Sequence, residues 1–132
     1  MIMLKKIYLV LMGLTYFAIG AWAIIDSGFT DAVGLQVTSD IGYSEIAGIY
    51  GGLNLCIGSM CLIGLFKEYV GIFSIQFLTF LTGSIAFGRI ISSALPNMPS
   101  FFNTFFIFEV CACLIGLVLI SSTKKSDKIA KF

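Results

Sequence analysis

Four apolar stretches of about 20 residues each, the length a helix needs to cross a bilayer core, constrain this chain more than any other feature. They cover residues 7–25, 45–66, 69–95 and 101–122. Lys5 and Lys6 precede the first, and Asp26 follows it. Lys67 and Glu68 separate the second from the third. Pro96, Asn97, Met98 and Pro99 stop the third, and Lys124 and Lys125 follow the fourth. Helices are the expected form, because backbone polar groups in lipid must be satisfied within their own segment. The alternating strand-length segments of a membrane β-barrel are missing. The pattern predicts an all-α, polytopic integral membrane protein. It forms one membrane domain over residues 1–132, a bundle of four transmembrane helices with an outer loop over 26–44.

Composition narrows the function. The chain is 58% hydrophobic and 11% charged, whereas soluble domains carry about a quarter of their residues as charges. A net charge of +1 supplies no phosphate-binding surface, so no nucleic-acid partner is expected. The chain has no histidine, which removes histidine acid–base chemistry and the common zinc sites. No serine lies beside a base and no phosphate loop is present. The expectation is a protein with no catalytic residues, no metal and no cofactor, and more readily a non-enzyme than an enzyme.

Charge also sets the orientation. Lys5, Lys6, Lys67, Lys124, Lys125, Lys128 and Lys131 all fall on one side of a four-span topology. The opposite loops carry Asp26, Asp31 and Asp40 and no Lys or Arg. By the positive-inside rule both termini are expected in the cytoplasm, in a multi-pass protein of the cell (inner) membrane. Ala21-Trp22-Ala23 could be a signal-peptide cleavage site, but the apolar run continues through Ile24 and Ile25. The first segment is therefore expected to be a retained helix. Ser44 is the expected cap of the second helix. Phe29, Val33, Leu35 and Val37 are expected to lie along the membrane surface. Trp22 and Tyr43 are placed at the outer interface, and Tyr8 and Tyr69 at the inner one. The lysine-bearing tail is expected to be solvated and able to touch anionic lipid.

Three ionisable residues do not belong in lipid: Glu45, Arg89 and Glu109. Glu45 starts its span. Arg89 lies about 9 Å below Leu95, and Glu109 about 12 Å below Phe101, at a rise of about 1.5 Å per residue. All three fall in the outer half. Reading inward along each helix face, Glu45 is followed by Gly48 and Gly52, and Glu109 by Ala112 and Gly116. Arg89 is followed by Ala86 and Thr82. Gly51 joins this set of helix-packing residues. Small residues at this spacing let helices approach closely, so the charges should face other helices. Tyr50, Asn54, Asn103 and Thr82 could add hydrogen bonds in the same layer. On an ideal helix, however, Asn54 faces away from Glu45. One Arg between two Glu leaves a carboxylate without a counter-charge. The cluster is either a structural clamp or the lining of an outward-facing pocket.

The cysteines carry no redox signature. Cys56 and Cys61, and Cys111 and Cys113, lack the C-x-x-C spacing and lie inside spans. They are expected to be small packing residues. The second and fourth helices share Glu-[Ile/Val]-x-small-x-x-x-Gly-Leu, from Glu45 to Leu53 and from Glu109 to Leu117. That hints at a duplication which the first and third helices do not echo.

The run Glu-Ile-Ala-Gly-Ile-Tyr-Gly-Gly-Leu-Asn from Glu45 to Asn54 resembles the signature of a bacterial family known as domain of unknown function 4345. Gly88-Arg89 and Phe108-Glu109 resemble that family's third-helix and fourth-helix motifs. The resemblance covers about Leu4 to Ile120 and extends to the broader DoxX-like membrane proteins. It implies a four-helix form and places Glu45, Tyr50, Gly51, Gly52, Arg89 and Glu109 on motif positions. It implies no activity. The expected function is a module that binds a small amphipathic or anionic ligand, membrane lipid or a partner. Glu45, Tyr50, Asn54, Arg89 and Glu109 would form its polar cluster. The alternatives are a proton-coupled small-molecule carrier and an accessory subunit of a membrane oxidoreductase. Homo-oligomers and partner membrane proteins are both compatible with this reading.

Overall fold

The computed structural model describes residues 2–26, 28–96 and 100–129, with side chains as far as Ser122. Among the described residues every regular element is helical: α1 (Ile2–Ile25), α2 (Gly28–Ala32), α3 (Asp40–Gly64), α4 (Glu68–Ser92) and α5 (Thr104–Ile129). Four helices are long and apolar enough to cross a membrane: Met3–Ile25 in α1, all of α3 and α4, and Thr104–Ser122 in α5. The lysine side chains of the tail lie outside the described residues, as do Asn97, Met98 and Pro99.

The ends of these helices follow their capping chemistry. α3 begins at Asp40, before the expected start at Glu45. Its cap is Ser39, which is extended at φ −153° and accepts a hydrogen bond from the Gly42 N–H at 3.2 Å. Asp40 then places a negative charge where the helix dipole favours one. Ser44 lies inside the helix. α4 stops at Ser92, and the next three amides tighten into a 3₁₀-like end. Ser93, Ala94 and Leu95 donate to the carbonyls of Ile90, Ile91 and Ser92 at 3.2, 3.0 and 3.1 Å. Asn103 caps α5, its side-chain oxygen accepting from the Phe106 N–H at 3.0 Å. Phe101 packs edge-on against Phe106, with centroids 5.1 Å apart, and fixes the entry of the chain.

The chain divides into two compact units, one spanning Lys6–Gly71 and the other holding the chain from Ile72 onward together with the first residues. In the Lys6–Gly71 unit, α1 and α3 run antiparallel with their backbones in near contact. A Cβ on Gly20 would stand 2.7 Å from the Leu55 nitrogen and 2.8 Å from the Gly51 oxygen. A Cβ on Gly58 would stand 2.7 Å from the Phe17 nitrogen and 2.9 Å from the Gly13 oxygen. Gly20 thus opposes Gly51, and Gly13 opposes Gly58. Both pairs repeat at a seven-residue spacing, the period of nearly antiparallel helix packing. In the other unit, α4 and α5 also run antiparallel. Gly116 leaves room for Thr79, and a Cβ on Gly83 would lie 3.0 Å from Cys113 Sγ. Leu78, Thr82 and Leu119 are fully buried there.

α3 carries one irregularity. From Ile46 to Gly52 the helix is wound as a π-helix, and the Leu53 N–H donates to the Gly48 carbonyl five residues back. Such a turn adds about one residue, which rotates everything beyond it by about 100° relative to an α-helix. Gly48 and Gly52 are exposed, whereas Gly51 is buried against Ile24. A Cβ on Gly48 would meet nothing within 4 Å. The packing residues of α3 are therefore Gly51 and Gly58, not the Gly48 and Gly52 of the ideal-helix reading. A helix opened to this register leaves carbonyls less well paired. The Asn54 side chain donates to the Tyr50 carbonyl at 2.6 Å, supplying a bond at the point where the ladder changes.

Candidate functional site

Within each unit the polar residues singled out from the sequence form local arrangements. Arg89 and Glu109 come together between α4 and α5. Arg89 Nε donates to both carboxylate oxygens of Glu109, at 3.1 and 2.9 Å, and Nη2 donates to Oε1 at 3.0 Å. This forked pairing is the strong form of a charge-assisted bond, with both carboxylate oxygens engaged. The Glu109 side chain is 9% exposed and that of Arg89 is 35% exposed. The acid is thus enclosed while part of the guanidinium remains open. Arg89 lies three residues before the end of α4, and Glu109 five residues after the start of α5. The pair is therefore about 5–8 Å from those helix ends, shallower than the sequence reading placed it.

The inward neighbours of this pair are enclosed: Ala86, Ala112, Gly116 and Thr82 are all buried. Thr82 does not bond to the charges. Its hydroxyl donates to the Leu78 carbonyl at 2.8 Å, as Thr79 does to Ile75 at 2.6 Å. Asn103 serves as the α5 cap already described.

Glu45, Tyr50 and Asn54 belong to the Lys6–Gly71 unit. Glu45 is exposed and makes no capping bond to its own helix. The π turn brings its direction and that of Asn54 to within about 80°, where an ideal helix would hold them opposed. Tyr50 joins an aromatic group the sequence reading did not anticipate. Its ring packs on Phe29 with centroids 5.5 Å apart, and Phe29 meets Trp22 edge-on at 5.4 Å. Phe29, expected on the membrane surface, is buried, because the short helix α2 folds it inward between α1 and α3.

The same corner is fixed by Asp26. Its carboxylate accepts from the Gly28 N–H at 2.8 Å and from the Trp22 indole N–H at 3.0 Å. These two donors, the Gly28 amide first, hold the Asp26 carboxyl below its usual range. The signal for this corner was present in the sequence as Trp22 placed four residues before Asp26, one helical turn apart.

Tyr8, assigned from the sequence to an interfacial belt, is buried. All four cysteines are free, with Cys61 buried and Cys56 and Cys111 exposed. Only Cys61 is thus fully packed. Among the described residues no three His, Cys, Asp or Glu side chains converge as a metal site would require.

No curated protein and no solved structure shows significant similarity to the chain. A family model does match, over residues 4–120, a range that takes in the Tyr50 turn, Arg89 and Glu109. The chain belongs to the family described as Domain of unknown function (DUF4345).

Proposed function

We propose that this protein is a non-enzymatic membrane module that binds the anionic headgroup of an amphipathic ligand or lipid at the Arg89–Glu109 end of α4 and α5. The observation that carries the reading is the division of labour within Arg89. Nε and Nη2 are committed to Glu109, while among the described residues Nη1 donates to none. With the lysine-rich loops in the cytoplasm, both termini are cytoplasmic and the pair lies in the outer leaflet of a bacterial inner membrane. At that depth lipid phosphates and carboxylates are within reach. Arg is the side chain that can hold two anionic groups in one plane. Glu109 fixes the guanidinium, and the pair is neutral overall. It therefore recognises the ligand by directed N–H donors rather than by net charge. Kinship with DoxX-like proteins would be likeness of fold, and gives no ligand. The carrier and oxidoreductase-subunit readings gain no supporting geometry among the described residues.

Native mass spectrometry after mild extraction with native lipid tests this, on wild type, Arg89→Gln and Arg89→Lys. The expected result is a bound small mass on wild type, lost in Arg89→Gln and reduced in Arg89→Lys, which keeps the charge but loses the fork. A bare wild-type chain would mean that the pair only clamps α4 to α5. A bound protein in place of a small mass would move the function to that partner.

A further inference from the structure

The face of α4 that carries Gln76 is a different surface from the Arg89–Glu109 end. Gln76, Phe80, Gly83 and Phe87 follow one another at spacings of four, three and four, the alternation of a helix-pairing seam. Gln76 is exposed, and Phe80 and Phe87 are 80% and 64% exposed. Beside them is an open groove of about 500 Å³, floored by Gly83 and Cys113 and walled by Phe80, Phe87 and Leu117. Exposed phenylalanine on a spanning helix is explained by lipid. Gln76 is not. With α4 across a bilayer, Gln76 lies eight residues from Glu68, about 12 Å from that end of the helix and inside the hydrocarbon. Among the described residues its side-chain amide has no hydrogen-bond partner. An acyl chain offers it none, so lipid alone leaves a donor pair and an acceptor unmet.

We infer that this face pairs with the same face of a second copy of the chain, as a parallel two-fold dimer. Two copies inserted with the same topology are related by an axis along the membrane normal, which brings each residue near the axis against its own counterpart. A glutamine amide is self-complementary: its NH₂ donates to the partner copy's carbonyl, and its own carbonyl accepts in return. One turn pair further along, Gly83 would face Gly83, allowing the backbones to close up as small residues do in membrane helix pairs. Phe80 of each copy then fills the groove of the other. The seam thus needs no residue that this chain does not carry. An acyl chain or an unrelated helix would fill the groove but would have to bring its own polar partner to the right depth.

The test is energy transfer between donor- and acceptor-labelled full-length chains in phosphatidylcholine vesicles, followed as lipid dilutes the protein. Wild type is expected to dimerise. Gln76→Leu, which replaces an exposed amide by a lipid-compatible side chain, should weaken the dimer about tenfold. Phe80→Ala should weaken it as well. Ile85→Leu, half a helical turn pattern away from Gln76, should leave it unchanged. Circular dichroism of each variant confirms that the helices persist. Wild type that stays monomeric at every dilution overturns the proposal. So does a dimer that Gln76→Leu and Phe80→Ala leave intact, because the copies would then be meeting on another face.

Discussion

In the Lys6–Gly71 unit, α1 and α3 meet backbone to backbone, with Gly20 against Gly51 and Gly58 against Gly13. In the other unit, α4 and α5 meet through side chains: Thr79 set into the space at Gly116, Cys113 beside Gly83, and Arg89 forked onto Glu109. Both pairs are antiparallel and rich in small residues, yet the glycines do different things. In the first pair they remove side chains from both helices, and the register follows from shape. In the second a glycine on one helix receives a side chain of the other, and a charge-assisted pair pins the register near one end. In the second arrangement Arg89 keeps an N–H group uncommitted among the described residues near a helix end, and the proposed binding role rests on it.

The largest expected effect strikes the backbone contact. Gly20→Leu must push Leu55 or Gly51 aside at backbone positions that cannot yield locally, and should cost about 3 kcal/mol or more. Gly48→Ala, in the same contact-bearing unit but facing open space, should be neutral or stabilising by less than about 1 kcal/mol. Thermal unfolding in detergent micelles reads both. Equal losses at the two positions would break the distinction between packed and unpacked glycines.

An intermediate effect is expected at the charge pair. Glu109→Gln leaves the guanidinium without its counter-charge and should cost roughly 2–4 kcal/mol, a little below a fully buried pair because Arg89 is partly exposed. The double variant Arg89→Gln with Glu109→Gln should cost less than the two single variants added together. Strict additivity would show that the pair does not hold α4 to α5.

The smallest effect belongs to the corner between α1 and α2. The Asp26 carboxyl is held below its ordinary value of 3.8, so its stabilising contribution is fully present above that value. It is lost as pH falls through the lower folded value. Asp26→Asn should flatten this part of the acid-stability curve by lowering stability slightly at neutral pH and not in acid, a small effect because the group is exposed. Tryptophan fluorescence of Trp22, the single tryptophan in the chain, reports it directly. An unchanged acid profile in the variant would remove the corner from the account.

Much of the fold was legible because its determinants are local. Apolar runs of spanning length, closed by lysines or prolines, specify helices without reference to partners, and the four helices long and apolar enough to cross a membrane fall where those runs lie. Arg89 and Glu109 were legible as a candidate pair for a similar reason, since ionisable groups inside spans must find each other or water. Small-residue spacing from Glu109 pointed to Ala112 and Gly116, which are buried, and from Glu45 to Gly48 and Gly52, which are exposed. The helical arithmetic was the same in both. It fails in α3 because Glu45 is itself exposed, so residues stepped from it fall away from the face that meets α1. The seven-residue recurrence of glycine at 13 and 20, and at 51 and 58, was the available signal for the true contact.

The sequence by itself determined that this chain makes four apolar helices with polar residues near their ends, because backbone hydrogen bonding and hydropathy act within a segment. The tertiary structure decided which glycines carry the contact, that Tyr50 packs at a tilt against Phe29, and that Arg89 closes its fork on Glu109 with donors to spare. Those outcomes depend on the register between helices and on which helix faces meet. Both are set by how two surfaces fit, and a single segment read alone does not contain that fit.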